Sequence, residues 1–276
     1  FVEASNTSNY KLLYELLRAE KEAEGNITWV LGPAVVFDYD TRNGLSRLAE
    51  NGYVQALLGG NAMATHDLEG GYLNTALGQD IYTQESDPLG HYNHLDTLNA
   101  IRKVGSIDEF INEGNVRDGF IKTLNRLGVP ITLAGSIRDD GPLPEVTGNV
   151  YDSLDNVRVA TDKSNLIICL ATTLHSASTA ETATSYRVDE NGNIVPVFIF
   201  TVDVTENAVR KVSAAREGIA VRTLVTNVQD FVVNLEKELV PEEYLSYDEE
   251  HVYEVEEASS EASIEDKKAM SQGREE

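Results

Sequence analysis

A thirteen-residue segment rich in polar and turn-forming residues is the first place in this sequence where ligand chemistry is expected. The segment Ala134–Val146 follows the apolar run Val129–Leu133 and carries Arg138, Asp139 and Asp140. Loops of this kind, at the carboxyl ends of strands, are where open α/β sheets bind ligands. A plain surface turn can have the same composition, but the position after a buried strand favours the ligand-binding interpretation.

Two further strand ends carry residues that can move protons or bind hydroxyl groups. His66 and Asp67 follow the apolar run Val54–Leu58 and are candidates for acid or base catalysis. The same pair could instead cap the start of a helix. Asp203 also follows an apolar run, and there binding of ribose hydroxyls and helix N-capping are equally good interpretations.

Most known ligand motifs are absent from the sequence. It contains no Gly-x-Gly-x-x-Gly, no phosphate-loop motif, no paired cysteines and no His-Glu-x-x-His. His91 and His94 have the spacing of neighbours on one helix face, but two imidazoles are too few ligands, so we expect no metal site. A role in substrate contact or helix capping is favoured for them.

The elements expected to position these residues alternate between strand and helix. Apolar runs predict strands at 27–31, 54–58, 129–133, 166–170, 197–202 and 221–225. Helical spacing predicts helices at 10–24, 43–51, 63–73, 94–104, 106–112, 117–127, 207–216 and 228–239. This order predicts an α/β, Rossmann-like domain over 1–239, with a mostly parallel sheet and helices on both faces. An Asn-Gly pair within 187–193 predicts a hairpin.

Composition and charge narrow the class of protein. The net charge is −24, and the segment 240–276 has thirteen acids against three bases, so we expect a disordered acidic tail there. An acidic chain lacks the basic footprint of nucleic-acid binding. The sequence shows no membrane span or signal peptide, and Cys169 lies in an apolar run as expected for a packed thiol. We therefore expect a cytoplasmic protein.

Four motifs in this chain resemble one family of enzymes. They are Leu31–Val36, Ala56–Glu69, Ala134–Val146 and Leu170–Ser176. They resemble the LOR/SDH-type family, which includes archaeal ornithine cyclodeaminases and the C-terminal half of cyanobacterial arginine dihydrolase/ornithine cyclodeaminases. The resemblance covers residues 25–239. It implies a Rossmann-like fold similar to the NAD-binding fold of deoxyhypusine synthase, with NAD held at the strand ends.

The resemblance also implies an activity and the residues that perform it. The activity is conversion of L-ornithine to L-proline and ammonia, a lyase reaction of arginine metabolism and proline biosynthesis, by transient hydride transfer to bound NAD. His66, Asp67 and Asp140 are the implied catalytic or ammonium-binding groups, because a doubly cationic substrate needs carboxylates and a proton acceptor. The implied cofactor-binding residues are Asn61, Ala62, Asp140, Thr173, Leu174, His175, Asp203, Thr226 and Asn227.

One difference from the family leaves a second function open. Family members usually carry an additional N-terminal region, which in this case could be a separate subunit. A chain without that region could be an NAD-binding module, or a subunit of a larger assembly, without catalysis of its own. The expected partners are an amino-acid substrate and further copies of the chain in a homo-oligomer.

Overall fold

The structure is a computed structural model that describes residues 2–189, 191–216 and 220–241. The strands in these ranges are β1 (Ile27–Leu31), β2 (Ala56–Gly60), β3 (Thr75–Ala76), β4 (Gln79–Asp80), β5 (Ile131–Ala134), β6 (Leu166–Leu170), β7 (Tyr186–Val188), β8 (Ile194–Pro196), β9 (Phe198–Asp203) and β10 (Val221–Val225). The helices are α1 (Val2–Glu22), α2 (Tyr39–Glu50), α3 (Asn61–Leu73), α4 (Gly90–Val104), α5 (Ile107–Asn112), α6 (Phe120–Leu127), α7 (Val150–Thr161), α8 (Thr173–Thr182), α9 (Glu206–Ala215) and α10 (Val228–Leu239). A short 3-10 turn, Pro33–Val36, follows β1.

Six strands form one parallel sheet in the order β5-β2-β1-β6-β9-β10. The chain runs outward from β1 to one edge and then returns to β6 to build the other half. This order is that of the Rossmann fold, in which ligands bind where the strand order reverses. The switch point lies between β1 and β6, where Leu31 is in register with Leu170. The predicted α/β, Rossmann-like fold is confirmed.

Apolar strands explain why both faces of the sheet are covered. Every residue of β1 and of β6 is buried, as expected for strands that have helices on each side. Helices α7, α8 and α9 pack together over one face, and α2, α6 and α10 pack together over the other. Cys169 is fully buried in β6, and burial raises the pKa of its thiol to about 12.

The structure differs from the sequence prediction mainly at helices that bury few of their side chains. Helices α7 and α8 were not predicted: α8 is rich in Ser and Thr and has little apolar periodicity, and in α7 the apolar spacing of Val150, Leu154 and Val157 was overlooked among Asp, Ser and Asn. Helix α2 begins at Tyr39 rather than Asn43, since the Asp38 side chain accepts from the Thr41 amide and caps it. The predicted hairpin is present as antiparallel β7 and β8.

Two further sequence predictions concern the acidic tail and membrane-spanning helices. The tail predicted to be disordered lies outside the described residues from residue 242 onward, and that prediction stays untested. Among the helices that the structure does describe, none has the length and apolar character needed to cross a membrane.

Candidate functional site

The carboxyl edge of the sheet brings two helix N-termini toward the switch point. Helix α3 starts directly after β2, and two residues separate the end of β6 from the start of α8. The N-cap residues, Gly60 and Thr172, make no side-chain capping hydrogen bond, and neither helix has an acidic residue in its first turn. Helices α2, α5, α7, α9 and α10 are capped by Asp38, Ser106, Asn149, Thr205 and Asn227. Helix starts that lack a cap suit an anionic ligand.

Close backbone packing joins these strand ends. A Cβ on Gly32 would lie 2.0 Å from the Ala171 carbonyl oxygen, so only glycine lets the turns after β1 and β6 touch. A Cβ on Gly60 would lie 2.8 Å from Cε1 of His175, whose ring packs on the end of β2. Burial lowers the pKa of His175, although the nearby Asp139 carboxylate acts in the opposite direction. A neutral imidazole therefore lies at the start of α8.

Asn61 anchors the polar loop that follows β5. Its Nδ2 donates to the Gly141 carbonyl at 2.9 Å, and its Oδ1 accepts from the Leu143 amide at 2.8 Å. The Asn61 side chain is buried, and these two bonds hold the loop bearing Asp140 against the start of α3. The Asn61 side chain, which was predicted to contact NAD, therefore holds this loop in place. The backbone amide of Ala62, also predicted to contact NAD, lies at the start of α3.

Three side chains meet beside this loop in what we call the His–Glu–His cluster, formed by His66, Glu69 and His94. Helix α3 supplies His66 and Glu69 from one face, and α4 supplies His94. Nδ1 of His66 lies 2.8 Å from Oε2 of Glu69, and Nδ1 of His94 lies 3.8 Å from the same oxygen. The two imidazole centroids are 4.5 Å apart. Sequence reasoning missed Glu69, although its spacing of three from His66 was a usable signal.

A buried carboxylate at the centre of this cluster stays ionised. Burial would raise the pKa of Glu69, but hydrogen bonds from His66 and Thr75 and the approach of His94 lower it overall. Oε1 of Glu69 accepts from Oγ1 of Thr75 at 2.7 Å. Asp140 approaches from the loop, with its Oδ2 3.6 Å from Nε2 of His94 and its side chain 65% exposed. The structure therefore brings together His66, His94 and Asp140, with Asp140 at the solvent side.

The second candidate histidine on α4 does not join the cluster. His91 is exposed, and its ring lies 4.2 Å from that of Tyr92. The spacing of three therefore does not bring His91 and His94 to a common site. Neither histidine caps α4, whose N-cap residue is Leu89.

The structure places Asp67 away from the predicted site. Its Oδ1 pairs with Nε of Arg42 at 2.9 Å, and its oxygens accept from the amides of Phe120 and Ile121 at 3.2 and 2.7 Å. Asp67 and Arg42 are both fully buried. Asp67 does cap a helix, as the alternative interpretation suggested, but that helix is α6 rather than its own.

The ends of β9 and β10 carry the residues predicted to hold the adenosine. Oδ1 of Asp203 accepts from the amide and hydroxyl of Thr205, and Thr205 itself is the N-cap of α9. N-capping by Asp203 is therefore wrong, and ribose binding stays a prediction. Asn227 caps α10 by accepting from the Gln229 amide. The Thr226 amide donates to the Asp203 carbonyl, so the two strand ends are joined.

Comparison with curated proteins identifies relatives named as ornithine cyclodeaminases. An ornithine cyclodeaminase of Methanocaldococcus jannaschii is 36% identical over 234 residues, which is 83% of this chain and 52% of that protein. The bifunctional arginine dihydrolase/ornithine cyclodeaminase AgrE of Nostoc is 35% identical over 81% of this chain and 30% of its own length. This chain therefore spans about half the length of the archaeal relative.

Solved structures show the same architecture and identify the family. A LOR/SDH protein of Methanococcus maripaludis superposes with a TM-score of 0.78 at 31% identity, covering 87% of this chain and 69% of that one. AgrE in ternary complex with ornithine and NAD+ gives 0.74 at 33% identity, covering 83% of this chain and 32% of AgrE. The family model described as arginine dihydrolase ArgZ-like, C-terminal, Rossmann fold matches residues 11–235, and this chain belongs to that family.

Proposed function

We propose that this chain is the NAD-binding part of an ornithine cyclodeaminase, which converts L-ornithine to L-proline and ammonia. One observation carries the proposal: two helix starts without caps converge on the switch point beside a buried His–Glu pair. Relatives named ornithine cyclodeaminase and the AgrE complex with ornithine and NAD+ support it.

The helix starts at the sheet edge fit the pyrophosphate of NAD in charge. Strands β2 and β6 flank β1, so the starts of α3 and α8 lie about 10 Å apart, which is two strand spacings. Their free backbone amides can each bind a pyrophosphate oxygen. A cavity of about 170 Å³ beside them is lined largely by apolar groups, including Ala134, Leu154 and Leu174. Asp203, Thr226 and Asn227 at the next strand ends are the proposed adenosine side of the site.

When bound, NAD supplies a hydride acceptor and donor, so the reaction needs no net oxidant. The proton transfers fall to the chain's own residues. Because ionised Glu69 can only accept hydrogen bonds, the hydrogen that it shares with His66 is on Nδ1. In a neutral imidazole Nε2 then keeps the lone pair. We assign His66 as the base that takes a proton from the substrate amine, with Glu69 holding its tautomer and orientation.

Asp140 and His94 complete the proposed substrate site. Asp140 is the exposed carboxylate on the solvent side of the His–Glu–His cluster, and it can pair with one ammonium group of a diamino acid. His94 lies between Asp140 and Glu69, so it connects the exposed carboxylate to the buried one. Asp67 leaves the proposed catalytic set, because Arg42 and the start of α6 occupy its oxygens.

The test is product formation by the chain, with and without the additional region of an archaeal relative. Purified chain, NAD and ornithine should yield proline and ammonia in equal amounts. His66→Asn should reduce turnover by about 10²–10⁴-fold, the usual contribution of a general base. His91→Asn, an exposed histidine outside the cluster, is the matched control and should keep full turnover. Failure of both preparations to form proline would overturn the proposal.

A second function has one observation in its favour. Since the chain spans about half of the archaeal relative, the rest of the substrate enclosure could come from another polypeptide. An NAD-binding module would bind NAD in calorimetry and give no proline by itself. Full turnover by the chain alone would exclude that alternative.

A further inference from the structure

The His–Glu–His cluster has the composition of a metal site. The nearest ligand atoms of His66, Glu69 and His94 all lie within 4.8 Å of one another. Two imidazoles and one carboxylate, with a fourth position open, are a recurring ligand set for catalytic zinc. A tetrahedral ion with bonds near 2.1 Å separates its ligand atoms by about 3.4 Å. The two distances from Oε2 of Glu69, 2.8 and 3.8 Å, lie on either side of that value.

Hydrogen bonding within the protein leaves one atom of this cluster unexplained. Nδ1 of His94 is buried and has no hydrogen-bond partner among the described residues. It faces Oε2 of Glu69 at 3.8 Å, which is too long for a hydrogen bond. Buried polar atoms almost always have partners, so a nitrogen of this kind calls for a missing group. An ion between the three side chains would bind this nitrogen directly.

The surroundings resemble the outer shell of a metal site. A metal-binding histidine usually donates its other ring N–H to a carboxylate. Nε2 of His94 lies 3.6 Å from Oδ2 of Asp140, close to such a contact. The second oxygen of Glu69 accepts from Thr75, and the Thr75 hydroxyl accepts in turn from Nδ2 of Asn93 at 2.8 Å. The carboxylate is therefore held in place before any ion arrives.

We propose that the His–Glu–His cluster binds one divalent transition-metal ion of the Zn²⁺ class through Nδ1 of His66, Oε2 of Glu69 and Nδ1 of His94. Imidazole ligands favour zinc, cobalt, nickel or copper over magnesium and calcium, which prefer oxygen. An ion on Nδ1 of His66 leaves the proton on Nε2, which then cannot accept another. This consequence rests on the proposed function: metal binding and turnover exclude each other, and the site is inhibitory.

The test is a titration of the untagged, metal-free chain. Zn²⁺ followed by calorimetry, and Co²⁺ followed by its visible absorption, should each show one specific ion per chain. His94→Ala should weaken binding at least about 10-fold, and Thr75→Val, which alters only the outer contact, by roughly 10-fold. His91→Ala, on the same helix but exposed and outside the cluster, should bind like the unaltered chain. Thermal melting of each variant checks that it is folded.

Two results would overturn the metal site: no specific Zn²⁺ or Co²⁺ binding, or equal binding by the unaltered chain and His94→Ala. The inhibitory consequence is tested separately, by adding Zn²⁺ and then a chelator to the proline assay. Binding without loss of turnover would refute inhibition. Failure of both preparations to form proline would overturn the proposed function, and inhibition with it, whereas the titrations would still decide the metal site.

Discussion

Asp67→Asn separates a structural carboxylate from a catalytic one. The substitution keeps the shape of the side chain but removes its charge beside Arg42, and both residues are fully buried. Removing one partner of a buried ion pair costs about 3–5 kcal/mol of unfolding free energy. Asp118 still contacts Nη1 of Arg42 at 2.8 Å, so we expect the lower end, about 3 kcal/mol.

The loss should be visible as a lower melting temperature. For a domain of this size, each kcal/mol shifts the melting temperature by roughly 2–4 °C, so the expected decrease is about 6–12 °C. Circular dichroism or differential scanning fluorimetry at constant pH measures it. Asp118→Asn is the matched control: its side chain is 39% exposed, and we expect a cost of about 1 kcal/mol or less.

The reasoning also predicts what Asp67→Asn leaves intact. Below its melting temperature the variant should still bind NAD and retain most of its turnover, because Asp67 faces α6 and not the crevice. A variant that melts within a degree of the unaltered chain yet forms no proline would refute the structural assignment, and would restore Asp67 to the catalytic set.

Three further predictions follow from contacts in the structure. Asn61→Ala removes both hydrogen bonds that anchor the loop, which should weaken its attachment by about 1–3 kcal/mol. Trypsin should therefore cleave the variant faster after the exposed Arg138. An unchanged cleavage rate would contradict this anchoring role. Burial holds the pKa of His175 below its ordinary 6.5, so this imidazole is harder to protonate in the folded chain than in the unfolded one. The free energy of unfolding should therefore decrease as the pH falls through 6.5. Chemical denaturation at several pH values should show a smaller decrease for His175→Asn. With a pKa of about 12, Cys169 should react with a thiol reagent only on unfolding, and rapid reaction of the native chain would contradict its burial.

The sequence predicted most of the sheet because burial of parallel strands leaves a clear pattern. The bounds of β1, β6 and β10 were predicted correctly; β1 and β6 are almost entirely apolar, whereas β10 contains Arg222 and Thr223. Helix α10 has a regular apolar face and a Pro after it. Helices α7 and α8 bury few side chains, so the apolar signal in their sequences is short in α7 and weak in α8. They form because a parallel strand pair needs a crossover connection, a requirement of topology rather than of local sequence.

The candidate site was predictable only in part, for a related reason. The positions of His66, in the helix after β2, and of Asp140, in the loop after β5, can be read from the chain, because strand ends follow from apolar runs. The pairing of His94 with Glu69 depends on how α4 packs against α3, and the pairing of Asp67 with Arg42 depends on α2. Such contacts join residues about 25 positions apart, and no local pattern specifies them.

Helix α3 makes different contacts on its different sides, which explains why residues adjacent in its sequence have such different environments. Successive helix positions point about 100° apart, so His66 and Asp67 cannot face the same side, whereas His66 and Glu69 can. One side of the helix therefore presents His66 and Glu69 to α4 and the loop, and another side uses Asp67 to anchor α2 and α6. Asn61, at the helix start, fixes the loop that carries Asp140. The buried Asp67–Arg42 pair therefore stabilises the side of α3 that faces α2 and α6, so its loss should lower the stability of the fold and leave the crevice in place.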